Sequence, residues 1–203
     1  RADIWTLPVD AVVSPGNSMG IMGSGISGQI KRHGGDVIQQ AAMALAPIAI
    51  GAAVVTTAGQ LPCKHVLHVP TMEEPGMKIG AENVRRAARA SLIAADLNGF
   101  KVIAIPSIGT DLGDVPVEEA VRAIVEELRA HKRPNPETVY VVDPQNSVIA
   151  AFEEALRNAQ WAFDQRRSEL VVERDEKVLR DEAVDVTLPM DRTPAGARHP
   201  IST

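Results

Sequence analysis

The chain carries one cysteine, Cys63, among 203 residues. A single thiol excludes an internal disulfide and any multi-cysteine zinc site, and no metal site is expected. A lone cysteine beside an apolar run reads as a small buried residue. Aromatic residues amount to 3%, so the stacking platforms that hold single-stranded nucleic acid are scarce. The formal net charge is -5 and no Lys/Arg block dominates the first half, which gives no strong signal for binding DNA through its phosphates. No signal-peptide pattern is visible. The uncharged stretch 41–59 is interrupted by Pro47, Gly51 and Gly59 and is rich in alanine. It reads as a helix end, a turn and a strand, with no membrane span. A cytoplasmic location is the default expectation. The first residue is Arg1, not Met, and an incomplete N-terminus is expected.

What the chain does have is aliphatic content. Hydrophobic residues make up 45% of it, enough for a full core. Apolar runs alternate with helical patterns as far as about residue 160. Strands are expected at Ala11–Val13, Ala52–Thr57, His65–Val69, Val102–Ile105 and Val139–Val142. Helices are expected at Ser24–His33, from the N-cap Asp36 to about Ala46, at Ala81–Leu97, from Pro116 to about Ala130, and at Ser147–Ala159. Strands interleaved with helices imply an α/β fold, a mostly parallel sheet covered on both faces. Residues 1–165 form this unit. Charge dominates Arg166–Asp185, and Pro189, Pro194 and Pro200 interrupt the remaining C-terminal stretch. Residues 166–203 are therefore expected to be a helix and an extended tail outside the core.

Ligands of such sheets sit outside the carboxyl ends of the strands. Two loops rich in small residues follow strand ends: residues 14–25 and residues 106–114. The first holds Met22-Gly23-Ser24-Gly25-Ile26-Ser27-Gly28 and runs into a helix. Bare backbone N–H groups and a helix N-terminus suit a phosphate. The Gly23-x-Gly25-x-x-Gly28 spacing alone is a weak dinucleotide signal, because about ten residues separate it from the strand. The second loop, Ser107-Ile108-Gly109-Thr110-Asp111-Leu112-Gly113-Asp114, offers a matching set of amides, and both should meet at one crevice. Asp111 would repel a diphosphate, so its side chain is expected to face solvent or a ribose hydroxyl. Asn17 could serve a ribose diol or cap its own turn. Asp3 could accept from an exocyclic amine or lie in solvent. His65 and His68 are expected on opposite faces of one strand.

The assembled pattern resembles the macrodomain family over about residues 1–158. Ala2-Asp3-Ile4 is similar to its Gly-Asp-Ile segment, and Val9–Asn17 to its Asp-Ala-Ile-Val-Asn-Ala-Ala-Asn strand and turn. Residues 22–32 resemble a Met-Gly-Ser-Gly-Val-Ala form of a prokaryotic branch. Thr57–Pro62 with His68, and Ile105–Thr110, match two further stretches. The resemblance implies a three-layer α/β/α sandwich with a mixed, mostly parallel sheet, and ADP-ribose or an ADP-ribosylated protein as ligand, without a cofactor. It implies adenine at Asp3 and Ile4, the distal ribose at Asn17, the diphosphate within Gly23, Ser24, Gly25 and Ile26, and an opposing wall of Ser107, Gly109, Thr110, Asp111 and Leu112. Ser14 stands in place of the family's first Asn. Ser27 stands where hydrolytic relatives carry an Asp. Asp111 and Asp114 replace loop glycines. A binding module is the first expectation. Hydrolysis of an ADP-ribosyl ester or a related phosphoester, with Asp111 or Asp114 positioning water, is the alternative. Asp185–Pro189, with Gly196 and His199–Ile201, resembles the connector of phenylalanyl-tRNA synthetase alpha chains, which adds a tRNA-related context for the tail.

Overall fold

The computed structural model describes residues 3–161, 171–173 and 184–187. A short 3-10 turn at Ile4–Thr6 leads into β1 (Ala11–Asn17), α1 (Gly25–Gly34), α2 (Asp36–Ala44), β2 (Val54–Thr57) and β3 (His65–Met72). Next come α3 (Ala81–Leu97), β4 (Val102–Pro106), α4 (Val117–Ala130), β5 (Thr138–Val142), α5 (Asn146–Trp161), β6 (Val171–Glu173) and β7 (Val184–Thr187). The strands form one sheet in the order β2-β3-β1-β4-β5-β7-β6. β3, β1, β4 and β5 are parallel, and β2 runs antiparallel to β3. The fold is a three-layer α/β/α sandwich with a mixed, mostly parallel sheet.

Alternation along the strands separates the two cores. Ala11, Val13, Leu67, Val69, Ile103, Ile105, Val139 and Val141 face the layer of α3, α4 and α5. Val12, Val66, Ala104 and Val142 face α1 and the 3-10 turn, with Ile30, Ile38 and Met22. Continuous apolar runs are what a strand covered on both faces requires. Cys63 is buried in this second core, and burial pushes its thiol up to about 11, which leaves it inert.

Three local outcomes differ from the sequence reading. Pro15-Gly16-Asn17, expected as a turn, continues β1 beside β3, with an irregularity between Gly16, opposite Pro70, and Asn17, opposite Met72. Pairing with β4 ends at Val12↔Ala104, so from there β1 is one-sided, an environment that tolerates a residue without an N–H. Asp36 is the first residue of α2, and Gly35, at φ 99, occupies the cap. A first-turn carboxylate still suits the helix dipole. In the charged stretch, Val171–Glu173 and Val184–Thr187 are strands; β7 pairs with β5 and β6 with β7. The remainder of that stretch, with Gly196 and His199–Ile201, lies outside the described residues. No helix among the described residues is long and apolar enough to cross a membrane.

Candidate functional site

β1 and β4 are neighbours that part at their carboxyl ends, since their register stops at Val12↔Ala104. The chain leaving β1 goes to α1 on one face, and the chain leaving β4 goes to α4 on the other. A crevice between adjacent strands whose connections take opposite faces is where an open α/β sheet binds ligands.

The first loop is held from inside. Asn17, buried, accepts hydrogen bonds at Oδ1 from the N–H groups of Met19 (3.1 Å) and Ile21 (3.2 Å), and its Nδ2 donates to the Ile21 carbonyl (2.8 Å). Gly20 lies against α2, where an added Cβ would come within 2.8 Å of the Ala42 carbonyl carbon. Gln39 accepts from the Met22 N–H (2.8 Å) and from Lys31 Nζ (3.2 Å). Beyond Met22 the pattern reverses. The N–H groups of Gly23, Ser24, Gly25 and Ile26 have no acceptor among the described residues, and the Ser24 side chain makes no cap bond. Four unengaged donors at a helix N-terminus are a geometry that suits an anion.

The second loop is fixed by a chain of oxygens. Thr110 Oγ1 donates to Ser107 Oγ (3.0 Å), and Ser107 Oγ donates to Asp143 Oδ2. Asp143 Oδ1 accepts from the Gln145 N–H (2.7 Å). Asp143 follows β5 and is 4% exposed. Both loop hydroxyls are therefore turned toward a buried carboxylate. The N–H groups of Gly109, Thr110, Asp111 and Leu112 have no acceptor among the described residues. From below, Ile79 and Val84 support the loop: a Cβ on Gly109 would lie 2.8 Å from Val84 Cγ2, and one on Gly113 2.7 Å from Ile79 Cγ1.

The two loops meet. The Cβ position of Gly25 is 3.2 Å from Asp111 Oδ2 and 3.3 Å from Leu112 Cδ1. Asp111 and Leu112 are exposed. Asp114, at φ 58, turns outward and forms an ion pair with Lys78 at 2.7 Å. That hydrogen bond, reinforced by the Lys78 charge, holds the Asp114 carboxyl below its ordinary range. Asp3 is exposed ahead of the 3-10 turn, which lies against α1 and β4, and its carboxylate makes no cap bond. Ile4 is buried, and Trp5 stacks on His33 (4.8 Å between centroids, 5° between planes), fixing the turn to the end of α1.

Behind the first loop, Ser14, Asn17, Ser27 and His68 line a cavity of about 10 Å³. His68 Nε2 lies 2.7 Å from Thr56 Oγ1, whose own proton goes to the Thr57 carbonyl (3.1 Å), so Nε2 carries the hydrogen. Burial lowers His68 to about 4, so it is neutral at pH 7. His65 occupies the other face and stacks on Phe100. The Ser14 hydroxyl is buried with no partner among the described residues. Ser27 Oγ donates to the Ser24 carbonyl (3.1 Å). No group of His, Cys, Asp or Glu among the described residues is arranged to hold a metal ion. Sequence reasoning missed Asp143 and Gln39; their partners lie 36 and 17 residues away, and neither sits in a motif.

The Macro domain family model matches residues 13–124. The chain belongs to the Macro domain family. An uncharacterised protein of Aquifex aeolicus is 46% identical over 156 residues, covering 77% of this chain and 94% of that protein. A protein of Enterobacter named O-acetyl-ADP-ribose deacetylase is 32% identical over 156 residues, covering 72% of this chain and 87% of its own. Among solved structures, a point mutant of an Oceanobacillus iheyensis macrodomain with ADPR (ADP-ribose) superposes with a TM-score of 0.69 at 19% identity, over 78% of this chain and 90% of that one. Within this macrodomain, β1, α1 and β4 supply the crevice, and both loops fall inside the matched residues.

Proposed function

We propose that this macrodomain binds ADP-ribose, free or attached to a protein, in the crevice where β1 and β4 diverge. One observation carries the reading: two loops from adjacent parallel strands meet at Gly25 and Asp111, and each offers four unengaged backbone amides. The diphosphate lies between the amides of Gly23, Ser24, Gly25 and Ile26 and those of Gly109, Thr110, Asp111 and Leu112. Ser107 sets the second wall through Asp143. Asp3 accepts from the adenine amine beside the Ile4 backbone. Asn17 marks the end of the distal ribose and acts by shaping residues 18–21, because its carboxamide is committed to them. Calorimetric titration with ADP-ribose, AMP and NAD tests the reading. Tight binding of ADP-ribose with weaker AMP is expected; equal or absent heats for all three reject it.

A second reading, hydrolysis of an ADP-ribosyl ester, is supported by the names of the deacetylase relatives and by the Asp111 carboxylate at the loop junction. There Asp111 takes a proton from water as the water oxygen attacks the ester carbonyl, and returns it to the ribose oxygen as the acyl C–O bond breaks, so that the acid and the ribose hydroxyl are released. Asp114, committed to Lys78, is the weaker candidate. Release of acetate from O-acetyl-ADP-ribose that disappears in Asp111→Ala and survives in Asp114→Ala would support this assignment; full activity in Asp111→Ala would end it. The tRNA-related reading of the tail is separate. Retention of tRNA by the full chain and its loss from residues 1–165 would support it.

A further inference from the structure

We propose that the groove beside the ribose end of the crevice docks a basic polypeptide segment, so that the macrodomain reads ADP-ribose together with the cationic stretch of the protein that carries it. The inference rests on the ADP-ribose reading above. The groove, about 350 Å³, lies between the segment after β3 and the first turn of α3. Ile50, Met72, Met77 and Ile79 give it an apolar lining, the surface along which the methylene stems of Arg and Lys lie.

Its unpaired charge is negative. Glu73 lines the groove and Glu74 comes directly after it; both are exposed, and neither forms an ion pair with a described residue. The cation in the lining, Lys78, is neutralised by Asp114 at 2.7 Å. Asn83 is turned away, donating to the Thr71 carbonyl (2.8 Å). An acidic segment would meet two uncompensated carboxylates, whereas a basic one completes them.

The groove shares its walls with both loops. Met72 is the register partner of Asn17. The Ser18 N–H donates to the carbonyls of Met72 (2.9 Å) and Glu73 (3.2 Å), and the Ile79 N–H donates to the Gly113 carbonyl (3.2 Å). A chain attached to a ribose at Asn17 therefore passes over Met72 and Glu73 as it leaves the crevice.

The test uses the full chain and three calorimetric probes: free ADP-ribose, and two mono-ADP-ribosylated peptides of equal length with about four basic or about four acidic flanking residues. The basic conjugate is expected to bind about five- to tenfold tighter than free ADP-ribose, the acidic conjugate no tighter, with the gain shrinking at high salt. The double variant Glu73→Gln/Glu74→Gln should abolish the gain and leave free ADP-ribose affinity within about twofold. Equal binding of the two conjugates, or a gain that survives the double variant, overturns the docking proposal while ADP-ribose recognition stands. Failure of the unmodified chain to bind ADP-ribose overturns both.

Discussion

Asp143 decides the shape of the second loop without being part of it. Its buried carboxylate accepts from Ser107, which accepts from Thr110, so the loop's hydroxyls are engaged while the amides of Gly109–Leu112 keep no acceptor among the described residues. A carboxylate acceptor makes the stronger kind of hydrogen bond. Asp143→Asn is expected to weaken ADP-ribose binding about tenfold, equivalent to ~1.4 kcal/mol. Ser107→Ala should cost about the same, and the pair of changes little more than either alone, because they break one chain. Calorimetry on the double-mutant cycle measures this; additive losses would contradict it. His68 makes a prediction about pH. Burial depresses it from 6.5 to about 4, so below about pH 6.5 the unfolded chain takes up a proton that the folded chain refuses. Its contribution is complete above pH 6.5 and is lost as pH falls toward 4. Between pH 7 and pH 5 the wild type should lose about 2 kcal/mol more stability than His68→Gln, read by urea unfolding at each pH.

Among the elements, the parting of β1 from β4 matters most. It opens the crevice and sends α1 and α4 to opposite faces. The loops then need glycine where backbone comes close. Gly109, at φ 83 with Val84 Cγ2 2.8 Å from its Cβ position, combines strain with a clash. Gly109→Ala should leave the sheet folded by circular dichroism, lower the melting temperature, and weaken ADP-ribose binding at least tenfold, ~1.4 kcal/mol or more. Much of this scale was legible in the sequence. Ala81–Leu97 matches α3 at both ends, because Asn98-Gly99 stops the helix with a residue at φ 66. The continuous runs Val102–Ile105 and Val139–Val142 announced strands buried on both faces. The extension of β1 through Pro15 was not legible, since Pro-Gly is also a turn signal and only the early end of pairing with β4 makes a strand tolerable there. In the site, the two small-residue loops could be read from spacing. The Ser107–Asp143 link could not, because it joins residues that only the parallel pairing of β4 with β5 brings together.

For the whole molecule, net charge -5 opposes an anionic ligand, yet local donors outweigh distant charge once salt screens beyond about 10 Å. The strands β6 and β7 pair beyond β5, away from the β1–β4 crevice. A chain ending at residue 165 should keep ADP-ribose affinity within about twofold by calorimetry, under ~0.5 kcal/mol, while exposing an edge of β5 that favours self-association, measurable by light scattering. The central claim is that backbone amides of two loops hold one diphosphate. An amide chemical-shift titration with ADP-ribose reads those groups directly. The account predicts the largest downfield shifts at Gly23–Ile26 and Gly109–Leu112, in slow or intermediate exchange and saturating together. Shifts confined to one loop, or concentrated elsewhere on the molecule, would contradict it.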